Sequence, residues 1–475
     1  MYPIPRPPKR ALCTASHLVV LVALAACESY EPRPLDFEAL LASIHKEDTL
    51  DPSQARNGSA TLSFETAFRD LLVRSPSLVE ARSAVARLVA LRNAGVSLAG
   101  PTLMAGPLDF SGPGVTGSLR RGIEAMLGIS LPIFGRLGAA GDVDEAEVTA
   151  AIVALEASVL DAVHELRRLW IEGVLALREV AVQDAALRLA ESIRERSALL
   201  LGGGQASGLD LRMADVDVAD ARAGRVRAQQ AATRLRGQLA RHLGRSFATT
   251  LIDASAELPP IVVDDSAEAS PIDVSDVSSE HPNLRELAAR YEVAEKKLRL
   301  EVRKQYPDLA LGPTFAREGK TNRSAFLLGI DLPFLDGNRR GIDEAKAVRE
   351  AMRTRYETQL RSLRTQLDAD RERRRLARLD YAAAKRQVAA SGELRDLARR
   401  SLDAGTIDTW RYLEIERRYQ AVTRNELAAL RSMYEAELAI ERSSARFHLA
   451  FKTRDNPNET EEPNEPNLDT AGKQR

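Results

Sequence analysis

The sequence predicts a mainly α fold with a small β part, built from a long antiparallel helical hairpin that occurs twice. Three observations predict it. Aromatic residues are only 5% of the 475-residue chain while charged residues reach 28%, and Ala, Leu, Arg and Glu dominate, the mixture expected of long helices packed along narrow seams. Proline, which interrupts helix interiors and central strands alike, is absent between Pro132 and Pro259 and again between Pro333 and Pro457. Landmarks also recur: Pro76 with Pro282 and Pro101 with Pro307 are 206 residues apart, and Pro132 with Pro333 and Gly204 with Gly405 are 201 apart. That period far exceeds the roughly 20–50 residues of solenoid repeats, so each copy is a half-molecule.

Residues 1–26 read as a lipoprotein signal peptide. Arg6, Lys9 and Arg10 precede an apolar run, Leu18 to Ala26, that is too short to cross a bilayer as a mature helix. Leu24, Ala25 and Ala26 before Cys27 resemble a bacterial lipobox, which implies acylation of Cys27, and Glu28 in place of aspartate implies sorting to the outer membrane. The alternative is a plain secretory signal with an incidental cysteine. Cys13 lies in the removed segment, so cleavage leaves no cysteine for a disulfide or thiolate metal site. Residues 27–60 form an N-terminal extended segment, 61–245 the first repeat, 246–281 a connector rich in Pro, Ser and Asp, 282–452 the second repeat, and 453–475 a tail with too little apolar surface to order itself.

Inside the first proline-free run, Ile152, Leu155, Val159, Val163, Leu166, Trp170, Val174 and Leu177 are spaced by three or four, a packing seam. Val348, Met352, Tyr356, Leu360, Leu363 and Leu367 repeat it in the second. A helix from about Gly341 to Ser401 would be about 90 Å long at 1.5 Å per residue. Glycines at 202–204 and at 405 permit reversals, after which a helix of about 40 residues returns. The stretches before each run alternate with period two. Ile123, Ala125, Leu127, Ile129 and Leu131 share one strand face, as do Phe326, Leu328, Ile330 and Leu332. Each has a weaker partner strand, after Pro101 and after Pro307, interrupted by Pro107 or Pro313, which remove ladder donors. Two readings stay open here: soluble hairpins capping a coiled coil, or a membrane barrel with its apolar face toward lipid. Four strands are fewer than the eight of the smallest barrels, so a barrel would have to be shared between chains.

Catalytic and cofactor chemistry finds no support. None of the six histidines, at 17, 45, 164, 242, 281 and 448, pairs with another at ligand spacing, which argues against a metal or imidazole site. "GGGQASG" lacks the Lys and Ser or Thr of a phosphate loop. A net charge of -1 gives no overall pull toward nucleic acid, and "RERRRLARLD" from Arg371 to Asp380 reads as a solvated helix face. No carboxylate cluster stands out for acid and base roles, so the expectation is a protein that is not an enzyme and uses no cofactor.

The combined pattern resembles the TolC family of bacterial outer-membrane efflux proteins. The pieces are "SPSLVEARSAV" and "HPNLRELAARY", "YPDLALGPTF", "LGIDLPFLDGNRRGIDEAKA", and the turns "LGGGQASGLDL" and "LDAGTIDTWRYLE", in family order in both halves over about residues 60 to 452. The resemblance implies duplicated hairpins forming a periplasmic tunnel, with four strands per chain in a shared trimeric β-barrel of the outer membrane. It implies a homotrimer that meets a periplasmic adaptor and, through it, an inner-membrane pump of RND or ABC type, and that acts as a passive exit duct for efflux or secretion. Pro333 with "FLDGNRRG" would be the bend from barrel to tunnel. Carried onto matching positions, Gly204, Gln205, Ala206 and Ser207 form one periplasmic tip and Gly405, Thr406, Ile407 and Asp408 the other. Arg411 and Glu414 fall where family members often carry two acidic residues at the pore constriction, and Asp210 adds a third candidate gate charge. With only one acidic residue at those two positions, a simple cation-selective ring is in doubt; an Arg and Glu collar closed by ion pairs is the expectation. The rival class is a lipid-anchored periplasmic coiled-coil adaptor or structural spacer, and a third reading is a degenerate family member without a pore.

Overall fold

The computed structural model describes residues 32–49, 61–98, 100–109, 121–204, 207–259, 280–318, 321–330 and 337–445. It has two units, one ending at Ser59 and one beginning at Ala60. The first contains one described helix, α1 (Phe37–Thr49), begun by Asp36, whose carboxylate accepts the Ala39 amide at 3.0 Å.

In the second unit the duplication is visible element by element. α2 (Phe64–Arg74) and α3 (Pro76–Ala94) lead into strands β1 (Thr102–Asp109) and β2 (Arg121–Leu131), then α4 (Arg136–Gly202) and α5 (Gly208–Leu243). The second copy runs α6 (Pro282–Arg303), β3 (Leu309–Glu318), β4 (Thr321–Ile330), α7 (Arg339–Asp403) and α8 (Thr409–Ser444). Pro76 and Pro282 open their helices, where a missing amide hydrogen leaves no intrahelical bond unmade. α4 and α7, with 67 and 65 residues, each extend about 100 Å, and the 36-residue α5 and α8 return about half that distance. Both reversals pass through a glycine at φ 70°, Gly204 and Gly405, a conformation that disfavours any side chain.

The helices stand in a row. Near the sheet the order is α3, α4, α6, α7, and toward the hairpin ends it is α5, α4, α8, α7. α2 packs on α3, α4 and α5, and this corner buries Leu71, Leu78, Leu166, Trp170, Val174, Leu239 and Leu243 to 1% exposure or less. Each such side chain contributes about 1.5–3 kcal/mol by leaving water. Residues 246–259, the start of the connector, lie against the same corner: Trp170 donates to the Glu257 carbonyl at 3.3 Å and Arg236 to that of Thr250 at 2.6 Å. Val163, Leu363 and Leu367 of the sequence-derived seams are buried too. Ile152 and Val348 instead stay 43% and 45% exposed, because on that stretch the row of helices has no second layer to cover them.

The four strands form one antiparallel sheet in the order β1, β2, β3, β4, so the outer edges of β1 and β4 are open. Pro107 and Pro313 are both accommodated. Pro107 sits on the edge strand, opposite Ile123. Pro313 is internal, and the ladder to β2 shows its effect: pairing runs from Gly122↔Glu318 to Met126↔Thr314, omits Leu127 and Gly128, and resumes at Ile129↔Leu311. At that break the strands approach closely. A Cβ on Gly312 would lie 2.2 Å from the Leu127 carbonyl oxygen, so only glycine fits. Gly312→Ala should therefore destabilise the sheet by roughly 1–3 kcal/mol, whereas Gly106→Ala, with nothing within 4 Å of the added atom, should be silent; thermal melts followed by the β signal in circular dichroism will compare them.

Candidate functional site

Strand alternation sorts the sheet into two chemically different faces. Register brings Leu103 of β1, Ile123, Leu127 and Ile129 of β2, Leu311 and Phe315 of β3, and Phe326, Leu328 and Ile330 of β4 onto one side. Leu103, Ile123, Phe315, Phe326 and Leu328 are 60% to 73% exposed there. The opposite side carries Gly122, Gly128, Gly312, Thr314 and Ala316, with Glu124 and Arg323 on a shared cross-strand row, and among these small and polar residues stand Met104, Met126 and Leu327. Leu332, expected on the apolar face, lies outside the described residues, as do residues 331–336 of the expected bend. An exposed apolar face of this extent marks a surface that something must cover. The strands are 8 to 11 residues long, against the 9–11 or so that span a bilayer when tilted. Among the described residues no helix is long and apolar enough to cross a membrane.

At the other end of the long helices, local chemistry fixes the hairpin turns. In the first tip Gly204 supplies the left-handed step and Ser207 caps α5: its hydroxyl accepts the Asp210 amide at 3.2 Å while the Asp210 carboxylate accepts the Ser207 amide at 2.8 Å. Those bonds, the backbone one foremost, hold the Asp210 carboxyl below the usual aspartate range. Asp210 is thus a capping residue whatever else it does. In the second tip Gly405 plays the same part, the Thr406 amide and hydroxyl both donate to the Ser401 carbonyl, Ile407 is half-buried, and Asp408 accepts the Arg411 amide at 2.7 Å. Gln205 and Ala206 lie outside the described residues, as does Cys27. Arg411 and Glu414 are both exposed, and among the described residues neither side chain has a hydrogen-bond or ion-pair partner.

Sequence reasoning missed the charged pair that links the two hairpins just above the tips. Arg417 of α8 reaches Asp217 of α5 at 2.6 Å, with the two side chains 50% and 42% exposed. Beneath it Leu189 and Ile193 of α4, Ala214 of α5 and Leu413 of α8 close a small apolar cluster. A separation of 200 residues left no local pattern to betray the pair. Nor do the described residues contain any His, Cys, Asp and Glu cluster able to hold a metal ion.

Comparison with known proteins fits this geometry. Residues 274–446 match the family described as outer membrane efflux protein. Three solved structures share the fold. They are the OprN outer-membrane channel (TM-score 0.66, 20% identity, 80% of this chain and 89% of that one), the Campylobacter jejuni CmeC outer membrane channel (0.66, 12%, 80% and 85%) and the open state of the Neisseria gonorrhoeae MtrE outer membrane channel (0.61, 18%, 80% and 88%). The second repeat is an outer membrane efflux protein domain, and the chain has the outer-membrane channel fold. No curated protein matches it in sequence. The resemblance carried by the duplicated motifs therefore holds at the level of domain and fold.

In this channel fold the two repeats are joined by a buried charged seam between α4 and α8. Arg167 pairs with Glu441 at 2.5 Å, both about 5% exposed, and at the exposed rim of the seam Arg442 pairs with Asp161 at 2.9 Å, the side chains 54% and 50% exposed. Within the second repeat, Glu437 of α8 pairs with Arg378 of α7 at 2.5 Å. His164 of α4 bonds the Leu438 carbonyl at 2.9 Å, and His281, buried beside the Asp161 and Arg442 pair, precedes α6. Burial is the main cause that pushes both imidazoles below their ordinary value of 6.5, and the nearby Arg442 adds to it. Below that value the unfolded chain takes up protons that the folded one refuses, so stability falls as pH drops through about 6.5. Thermal unfolding of the detergent-solubilised protein should shift downward between pH 7.5 and 5.5, by at most about 1.4 kcal/mol per pH unit per histidine; a His164→Gln, His281→Gln double variant should show a flatter profile over that window.

Proposed function

We propose that the chain is one protomer of a homotrimeric outer-membrane channel, the passive exit duct of a tripartite efflux or secretion system. The observation that carries this reading is the pair of open edges. The sheet has an apolar face turned outward and unpaired outer edges on β1 and β4. Below it the row of helices is open at both sides, with Leu376, Leu379, Leu394 and Leu397 of α7 and Leu209, Met213 and Val216 of α5 exposed at 44% to 69%. An open strand edge is not tolerated in hydrocarbon, and a head-to-tail contact that closes on itself yields a ring. Three copies give twelve strands, and the α5 side of one protomer meets the α7 side of the next. The Ile152 and Val348 stretch gains its cover from lipid-proximal neighbours in the same assembly.

In this reading the small-residue face of the sheet and the continuing helices line a water-filled bore, acylated Cys27 tethers the chain to the outer membrane, and the helices extend into the periplasm. Gly204 to Ser207 and Gly405 to Asp408 meet the periplasmic adaptor, and an RND or ABC pump in the inner membrane supplies the energy. The protein catalyses nothing. The rival reading, a periplasmic adaptor or spacer, leaves the outward apolar face of the sheet without an environment. Extraction separates the two: a trimer that needs detergent and dissociates on heating is expected, and a monomer released by salt or by removal of the lipid anchor would overturn the channel.

The gate is proposed at the tips. Arg417 and Asp217 tie the second hairpin to the first, and Arg411 and Glu414, without a side-chain partner among the described residues, are placed to meet the neighbouring protomers. Replacing Asp217 and Arg417 together with serine, or Arg411 and Glu414 together with small neutral residues, should raise single-channel conductance in planar bilayers. Unchanged conductance in both variants would place the constriction elsewhere.

A further inference from the structure

We infer that the outward face of the sheet carries a binding position for the phosphate of an outer-leaflet lipid, centred on Arg317. This rests on the channel reading above. The apolar rows run from Leu309 to Phe315 on β3, about 20 Å of strand at roughly 3.3 Å per residue, comparable to the apolar band of about 25 Å on membrane barrels. Two residues beyond Phe315 on the same face stands Arg317, opposite Asn322 on β4 and Ile123 on β2. Ser324 shares that face one row nearer the apolar band, opposite Phe315.

The position is chemically selective. Arg317 is exposed and has no ion-pair partner among the described residues, although Ile123 beside it is 67% exposed and belongs to the apolar face. Arg323, by contrast, lies on the opposite side of the sheet in the row of Glu124. A guanidinium bordering a lipid-facing apolar surface keeps its aliphatic stem on that surface and its charge at the headgroups. Its planar donors match phosphate oxygens in two-point contact, and Asn322 and Ser324 add neutral donors beside it. This end of the sheet is the strand-hairpin end, away from the helices, so the leaflet it reaches is the outer one. In a trimer the position occurs three times around the barrel.

The test uses full-length protein reconstituted in three vesicle types: phosphatidylcholine alone, phosphatidylcholine with diphosphoryl lipid A, and phosphatidylcholine with added inorganic phosphate. The heat-dissociation temperature of the inserted trimer is expected to rise by several degrees with lipid A only. Arg317→Gln should insert equally well in phosphatidylcholine and lose the rise. Equal dissociation temperatures in all three vesicles, a rise retained by Arg317→Gln, or the same rise with free phosphate would each overturn the headgroup position while leaving the channel intact. Failure of the wild-type protein to insert in any vesicle would overturn the channel reading and this position with it.

Discussion

A backbone amide or carbonyl at a strand edge loses several kcal/mol when it enters hydrocarbon without a partner. Four strands with an apolar outer face and two open edges have no stable place in a bilayer alone, and no stable place in water either, because the apolar face stays wet. Much of the protomer's shape follows from that constraint. The helices form a row and not a bundle, and in the proposed trimer such a row continues from neighbour to neighbour and closes around a bore. Seam positions such as Ile152 and Val348 stay bare within the chain, and in the trimer proposed above neighbouring copies cover them.

The charges divide by what they have to do. Arg167 and Glu441 are almost fully buried, and breaking one member of such a pair leaves an uncompensated charge costing about 3–5 kcal/mol. They hold α4 against α8 in a single register and so bind the two repeats into one wall. Arg417 and Asp217 are half in water, where an ion pair contributes about 0–1 kcal/mol. In the proposed trimer three such pairs total at most about 3 kcal/mol, within the range of a typical allosteric coupling energy. For the gate proposed above, a lock of that strength is weak enough to yield to a partner; a buried one would not be.

How far the sequence reached follows the range of each interaction. Helix lengths, turns and strand faces rest on local periodicity and on proline and glycine, and they were legible: the helix expected from about Gly341 to Ser401 lies inside the observed Arg339–Asp403. Pro107 and Pro313 weakened two strands on paper because single-sequence reasoning could not see that one lies on an edge and that a ladder break with a glycine contact absorbs the other. The charged seam and the Arg417 to Asp217 pair were invisible for a different reason. The partners that link α4 or α5 to α8 lie 200 residues or more apart and have no spacing rule. His164 lies among the α4 seam residues and bonds the Leu438 carbonyl, a packing role that its place in the periodic seam already points to.

Asp210 and Arg411 show why the tips are more than turns. The two residues are 201 apart, the offset of the repeat, and each is the third residue of its helix after the capping Ser207 or Asp408. An acidic side chain there complements the positive end of the helix dipole and closes a capping box; a basic one opposes it by a few tenths of a kcal/mol up to about 1. Asp210 therefore has a sufficient local reason to be where it is. Arg411 has none: among the described residues its side chain has no partner, and its charge sits at the wrong end of the helix. If folding alone shaped the second tip, an acid or a neutral residue would serve it better. The physical case for a gating charge is accordingly stronger for Arg411, and for the unpaired Glu414 one turn on, than for Asp210.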